Sequence, residues 1–379
     1  MLAITNATVY PITSPPLSGG TVLLQEGKIK AVGEHLQIPS EARLLDAGGG
    51  ALLPGFIDAH CHVGLWEEGL GWEGDDVNEL TEPVTPHLRA LDAINPQDRG
   101  WQDAVRAGIT AVWTGPGSGN VVGGQGVALR TGGKGVAEMV LLEPAGLKIA
   151  LGENPKRVYG EQKKFPSTRM ATAALLRDYL TKAANYLAKR RRGESERDLR
   201  LEVLGLVLAG RIPLRAHAHR ADDIMTALRI ADEFGCNIVI EHGTESHLLA
   251  DELAQRQVPV VIGPTVTART KVELANRTLE TPALLARAGV QVAFMTDHPV
   301  LPVDALPLCA ALAVREGMPE EAALQALTLN AARVLGVADR LGSIEVGKEA
   351  DLVLFSGHPL SFDTRVQATI MRGEIVYQE

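Results

Sequence analysis

Short apolar runs alternate with amphipathic stretches through the middle of the chain. Gly108–Trp113, Gly146–Leu151, Leu214–Ala216, Asn237–Glu241, Val258–Ile262 and Gln291–Thr296 each read as a strand that is apolar on both faces. Strands of a parallel sheet covered by helices carry this pattern. Between them lie helical periodicities. Asp222–Phe234 sets Ile224, Leu228, Ala231 and Phe234 at helical spacing, behind an acidic start and ahead of Gly235 as the stop. Ser246–Gln257 and Thr281–Ala288 repeat the theme. With Ala51–Ile57 leading, about seven strands are recognisable, and an eighth is expected within Val121–Pro144, where glycines blur the boundaries. Eight strand–helix units over roughly 280 residues suit a (β/α)8 barrel, typically ~250 residues long.

The two ends differ from the middle. Leu2–Tyr10, Gly20–Gln25 and Lys28–Val32 at one end, and Ala350–Phe355, Ala368–Arg372 and Glu374–Tyr377 at the other, are strand-like runs punctuated by turn residues. The predicted organisation is α/β: a barrel over 53–338, and a small β-sandwich domain assembled from 1–52 and 339–379. Residues 170–212 break the rhythm with two helices, Met170–Gly193 and Glu194–Gly210. The Lys-Arg-Arg-Arg run that ends the first reads as a solvated helix end whose cations favour the helix dipole and pair with Glu194 and Glu196, in preference to a site for an acidic partner.

Charge and composition narrow the functional classes. Lys and Arg total 37 against 46 Asp and Glu, a net charge of −9. Such a chain offers no basic field to nucleic acid or anionic lipid. No stretch approaches the ~18 apolar residues of a membrane span. The three cysteines, Cys61, Cys236 and Cys309, lack the spacing of a disulfide framework or a thiolate zinc site. A reducing, cytoplasmic setting is expected, with no signal peptide, a small-molecule substrate, and nothing against a homo-oligomer.

The chemistry concentrates at strand ends. His60 and His62 close the first barrel strand, in Asp-Ala-His-Cys-His; His217 and His219 close another, in Arg-Ala-His-Ala-His; His242 closes the next, and Asp297 the last. In a barrel all strand C-termini open on one face, where active sites sit. Residues two apart on a strand point the same way, so each His-x-His pair can chelate one ion. Imidazoles with a carboxylate suit zinc, iron or manganese. Without an ion, about five buried polar groups would each need another partner. Cys61, between two ligands, faces away and is expected to be a small core residue.

Leu53-Pro-Gly-Phe-Ile-Asp-Ala-His-Cys-His62 resembles the opening metal motif of the amidohydrolase superfamily. Thr328-Leu-Asn-Ala-Ala-Arg-Val-Leu-Gly336 and Gly342-Ser-Ile-Glu-Val-Gly-Lys-Glu-Ala-Asp-Leu-Val-Leu-Phe355 resemble its closing signature. Ala216-His-Ala-His219 and Ile240-Glu-His-Gly243 are similar to the imidazolonepropionase- and prolidase-like branch. The resemblance covers nearly the whole chain and implies a hydrolase dependent on one or two divalent metals, most readily zinc. It implies His60, His62, His217, His242 and Asp297 as ligands, Asp297 also as the proton carrier, and His219 as a substrate contact. A bridging ligand is implied from a middle strand, for which Lys148 (carboxylated) and Glu153 stand as equal alternatives.

Other features carry less. Gly115-Pro-Gly-Ser-Gly-Asn and Gly123-Gly-Gln-Gly126 fit neither phosphate-binding glycine fingerprint and read as loops at the barrel mouth. Lys156, Arg157 or Tyr159 could grip a substrate carboxylate. The expected reaction is cleavage of a C–N bond in an amide, cyclic amide or dipeptide by metal-activated water, with His242 or His219 helping to polarise the carbonyl. The rivals are deamination of an aminated heterocycle on the same scaffold and a non-catalytic metal-holding subunit. A nucleotide-dependent oxidoreductase is disfavoured by the failed glycine fingerprints.

Overall fold

A computed structural model describes residues 1–379. Helices and strands alternate through the middle of the chain, giving a TIM-barrel-like fold of mixed α and β content. Two curved sheets supply its strands. One runs Val292–Phe294, Val260–Ile262, Ile238–His242, Leu214–Ala218, Leu147–Ala150 and Val122–Gln125; the other runs Phe56–Cys61, Ile109–Thr114, Val127–Arg130 and Val140–Leu142. The first and last strands meet through the Asp297 N–H donating to the His60 carbonyl (3.1 Å) and the His62 N–H donating to the His298 carbonyl (3.0 Å). The buried Asp58 carboxylate reinforces that seam by accepting from the Thr296 backbone N–H (3.2 Å) and hydroxyl.

The expectation of parallel strands throughout is corrected at one place. The chain between residues 122 and 130 pairs antiparallel with Ile109–Thr114 on one side and with Leu147–Ala150 on the other. It breaks at Gly126 into Val122–Gln125 and Val127–Arg130. A Cβ at Gly126 would lie 2.0 Å from Cζ2 of Trp113, and one at Gly115 would lie 2.3 Å from Cη2 of the same ring. Glycine is required where the indole lies flush on the backbone, which explains why propensity is a poor guide here. The Gly123-Gly-Gln run is therefore strand, not loop.

The amphipathic segments form as their periodicity predicts. Asp222–Phe234 falls within helix Ala221–Phe234, ended by Gly235 in the left-handed region at φ 65°. Ser246–Gln257 is a 3-10 turn, Ser246–Leu249, followed by helix Ala250–Gln255. The long helix spans Arg169–Arg191, and the second segment is the shorter helix Leu199–Leu208, capped by the Asp198 side chain. Past the first helix Arg192 pairs with Glu194 at 2.8 Å, as a solvated end requires. No helix is long and apolar enough to cross a membrane.

Both termini enter one eight-stranded sheet. Glu374–Gln378, Val366–Met371, Leu352–Phe355, Ala51–Pro54, Leu2–Val9, Leu17–Gln25 and Lys28–Gly33 follow in order, with Arg43–Asp46 also pairing on Leu2–Val9. The apolar run Ala51–Ile57 is thus divided. Ala51–Pro54 joins the terminal sheet, and Phe56–Cys61 starts the site-bearing sheet, with the break at Gly55. A Cβ there would lie 2.1 Å from the Thr110 hydroxyl. Residues such as Ile4, Val22, Leu52, Ile344, Leu352 and Ile370 form a core of their own beneath this sheet.

Arg130 joins the terminal sheet to the barrel-like body. It is 1% exposed, its Nε donates to Asp351 Oδ2 at 2.7 Å, and it also pairs with Glu349. Removing one member of a buried ion network costs up to about 3–5 kcal/mol; here Glu349 keeps Arg340 at 2.6 Å and Asp351 keeps the Arg372 N–H at 2.8 Å, so Asp351 loses most. Arg130→Met is therefore expected to lower unfolding stability by about 2–4 kcal/mol, toward the lower part of the range for a broken buried pair, and a urea titration checks it. A loss below about 1 kcal/mol would show that water reaches the two carboxylates.

Candidate functional site

Strand alternation places the histidines. Within Phe56–Cys61, Cys61 turns into the apolar core while His60, and His62 just beyond, turn to the opposite side. Leu214–Ala218 delivers His217 and, one residue past its end, His219; Ile238–His242 ends on His242. Asp297 follows Val292–Phe294. His242 (φ 70°) and Asp297 (φ 54°) both lie in the left-handed region, which side chains other than glycine's enter at a cost. That strain sits on two residues singled out for chemistry, as functional sites commonly show.

The structure sorts these residues into two triads rather than one ring. His60, His62 and Asp297 form the first, and His217, His219 and His242 the second; within each, one donor atom per residue lies within 4.8 Å of the others. In the first, Asp297 Oδ1 is 3.3 Å from His60 Nε2 and 3.4 Å from His62 Nε2. In the second, ring centroids are 4.3–4.7 Å apart. The triads adjoin, with the His60 and His242 rings 5.9 Å apart.

Neighbouring groups fix the tautomers. A carbonyl oxygen only accepts, so His62 Nδ1 donates to Gly115 (2.7 Å) and His242 Nδ1 donates to Gly263 (3.0 Å). Each then turns an Nε2 lone pair outward. Neutral His242 has no proton to give a substrate oxygen, which argues against a carbonyl-polarising role for its ring. His219 Nδ1 bonds the Thr244 hydroxyl at 2.8 Å. Burial pushes the pKa of His217, His219 and His242 well below the usual imidazole range, and that of His60 down as well. Neutral imidazole is the form that binds a cation. Burial alone would raise the Asp297 carboxyl, but His242, His60 and His62 outweigh it and hold it well below the usual range.

Beneath the triads lies a buried charge layer of which the sequence singled out Lys148 but not Glu241 or Arg215. The Glu241 carboxylate faces His60 Nδ1 at 3.1 Å, receives Arg215 Nε at 2.7 Å, and pairs with the Lys148 ammonium. Lys148 Nζ is also 3.4 Å from His60 Nε2. Arg215 lies over Trp113, with Cζ 4.1 Å from the ring centroid, and His60 stacks on the same ring at 5.0 Å. Glu241 and Arg215 stand beside the chosen histidines in Ile-Glu-His and Arg-Ala-His, so their adjacency was the available signal.

Several other expectations resolve differently. Glu153 begins helix Glu153–Glu161 and its carboxylate accepts from the Glu273 N–H at 3.3 Å; it is not a member of either triad. Lys156 and Arg157 are exposed on that helix. The Tyr159 hydroxyl is buried, donating to the Glu82 carbonyl at 2.9 Å, and no hydrogen bond joins Arg157 or Tyr159 to the histidines. His298 is buried with both ring nitrogens unbonded, and His247 bonds the Thr281 hydroxyl at 3.1 Å. A further buried acid, Glu273, stands beside His217 and His219 with its Oε1 unbonded.

The donor chemistry fits divalent cations. Neutral imidazole nitrogens and carboxylate oxygens face each other at 3.3–3.5 Å, too long for good hydrogen bonds. Ligands held ~2.0–2.1 Å from a tetrahedral ion lie about 3.3–3.4 Å from one another.

With this geometry in hand, comparison with known proteins is specific. A family model described as the amidohydrolase family matches residues 51–376. An amidohydrolase of Thermotoga maritima MSB8, known from a crystal structure, is 50% identical, with all of both chains covered and a TM-score of 0.97. The amidohydrolase tasK of Hapsidospora irregularis is 29% identical over 90% of this chain, which spans 38% of that protein's length. The imidazolonepropionase of Thermoplasma acidophilum is 24% identical over 94% of this chain and 89% of its own length. A match over most of the chain, joined to a full-length relative at one-half identity, has one reading: the chain belongs to the amidohydrolase family.

Proposed function

We propose that the chain, as a hydrolytic member of the amidohydrolase family, cleaves a C–N bond of a small amide, cyclic amide or dipeptide with the help of divalent cations held at its two triads. The observation that carries this is the convergence of six buried or nearly buried donors from four strand ends into two groups, each compact enough for one ion. Imidazole and carboxylate together fit zinc, with iron and manganese next. His60, His62 and Asp297 would hold one ion; His217, His219 and His242 would hold the other. Of the two bridging candidates Lys148 is nearer the first triad, 3.4 Å from His60 Nε2, but its ammonium is engaged by Glu241, and a carboxylated Lys148 would set a second anion beside that acid; Glu153 is tied to the Glu273 backbone. When bound, such a cation supplies a Lewis acid that brings the pKa of water from ~15.7 to about 7 and polarises a carbonyl.

The chain's own part is positioning and proton transfer. The Asp297 side chain is 15% exposed, the most open of its triad, so it is the group a substrate reaches first. It is held as a carboxylate by the surrounding imidazoles, takes a proton from the attacking water and returns it to the leaving nitrogen. His242, with its Nδ1 proton committed to Gly263, serves the cation and not the carbonyl. The same reading keeps 53–338 as the barrel domain, and 1–52 with 339–379 as a terminal β-sandwich, supported by the separate core drawn from those two segments. It also keeps a reducing, cytoplasmic setting, supported by three free cysteines.

Asp297→Asn is expected to lower kcat by about 10²–10⁴-fold in an ammonia- and amine-release assay run on N-acyl amino acids, dipeptides and aminated heterocycles. A variant at full activity would remove Asp297 from the proton path, and turnover of the heterocycles alone would move the reading to deamination. Chelator treatment of the purified protein is expected to abolish turnover. It should also lower unfolding stability by about 2.7 kcal/mol for each site that had been held at a hundredfold Kd of free ion. Elemental analysis beside a thermal melt measures both.

A further inference from the structure

Glu273 is a loop residue in sequence and a core residue in space. It sits on the 3-10 turn Val272–Leu274, in the connection between Val260–Ile262 and Thr281–Arg287, yet is 1% exposed. Its two oxygens have different surroundings. Oε2 accepts the Glu153 backbone N–H at 3.3 Å, while the Glu153 carboxylate accepts the Glu273 N–H at 3.3 Å. This reciprocal pair orients the carboxylate. Oε1 is then aimed at the second triad, 3.5 Å from His217 Nε2 and 3.4 Å from His219 Nε2, with no hydrogen-bond donor. The nearest cation is Lys271, a third exposed, whose Nζ is 3.6 Å from Oε1 and donates to Asn154 Oδ1 at 3.2 Å.

We propose that Glu273 is the fourth donor of the His217, His219 and His242 cation site, so that this site is closed by the 263–280 connection rather than by strand ends alone. This rests on the cation reading of the mouth given above. A buried, unbonded carboxylate oxygen is costly unless something positive meets it. Lys271 answers that need only in part, since it is more distant, partly solvated and shared with Asn154. The separations to His217 (3.5 Å) and His219 (3.4 Å) lie within a few tenths of an ångström of the ~3.3–3.4 Å edge of a tetrahedral site built on ~2.0–2.1 Å bonds; Glu273 stands outside the 4.8 Å group that the three histidines form, so it meets the ion from the His217–His219 side and closes on His242 only by a movement of its loop. Three neutral imidazoles and one carboxylate leave a bound divalent ion with a net single positive charge, which the dry pocket tolerates better than two. In the ion's absence the Lys271 ammonium is placed to take over Glu273 Oε1.

The test uses the full-length protein, stripped of metal and titrated with Zn²⁺ and with Co²⁺, read by bound-metal stoichiometry, calorimetry and the visible Co²⁺ spectrum. Wild type is expected to take up two ions per chain. Glu273→Gln is expected to keep one and to bind the second at least tenfold more weakly, with a changed Co²⁺ band for that ion. Its metal-free melting point should stay close to that of wild type, because the amide keeps an oxygen for the Glu153 N–H and gives up only the 3.6 Å pair with the partly solvated Lys271. Lys271→Met, on the same loop, is expected to bind two ions at least as tightly as wild type. If Glu273→Gln binds both ions with unchanged affinity and spectrum, the proposal falls while the cation reading stands. Equal weakening in Lys271→Met would overturn it as well, by showing a general loop effect. A wild-type chain that binds neither ion overturns both readings.

Discussion

One buried carboxylate organises the base of the mouth. Glu241 is fully buried, and His60, Arg215 and Lys148 all converge on it. Burial would raise its carboxyl; those three neighbours outweigh burial and hold it well below the usual range. Two full cations and one anion removed from water are tolerable only while each has its partners, so none of the three can be changed alone without stranding another. The same contacts aim His60: with Nδ1 against Glu241, only Nε2 is left to face Asp297. Orientation of a ligand histidine by a carboxylate behind it raises its basicity and removes its rotational freedom.

Above that layer, the two triads differ in how they are made. The first draws entirely on strand ends and on the seam between the first and last strands, where Asp58 grips Thr296. Burial pushes the Asp58 carboxyl up to about 7, against its hydrogen bonds from Thr296 and His60. The second draws on two adjacent strand ends, with the Glu273 carboxylate of a long connection standing beside two of its rings.

Much of this was legible in the chain because strands impose a period of two. His-x-His at 60–62 and 217–219, and the terminal placement of His242 and Asp297, needed only that rule and the convergence of strand ends. The superfamily resemblance agreed with it, and full-length similarity bears the resemblance out. What stayed hidden had no period to reveal it. The antiparallel strands around Gly126 are glycine-rich because Trp113 occupies the side-chain space at Gly126 and the Leu88 carbonyl that at Gly124, so packing overrode propensity. Glu273 lies in a connection where spacing carries no information, and its carboxylate accepts from the Glu153 N–H 120 positions away, a contact that no local pattern encodes. Glu241 and Arg215 sat beside the chosen histidines, but a charged neighbour of a ligand is usually solvent-facing, and only the closed interior made them partners. The division of Ala51–Ile57 between two sheets turned on Gly55, which a continuous apolar run conceals.

Trp113 is sandwiched in a way that has an optical consequence. Its fully buried indole has the His60 ring stacked at 5.0 Å and the Arg215 guanidinium 4.1 Å from its centroid, with Nε1–H donating to the Ala145 carbonyl at 2.9 Å. An indole excited state is sensitive to charge placed on its face, so its emission and lifetime register any gain of positive charge on His60. The chain thereby carries, at the floor of its own mouth, one of its four indoles in contact with the charge layer around Glu241.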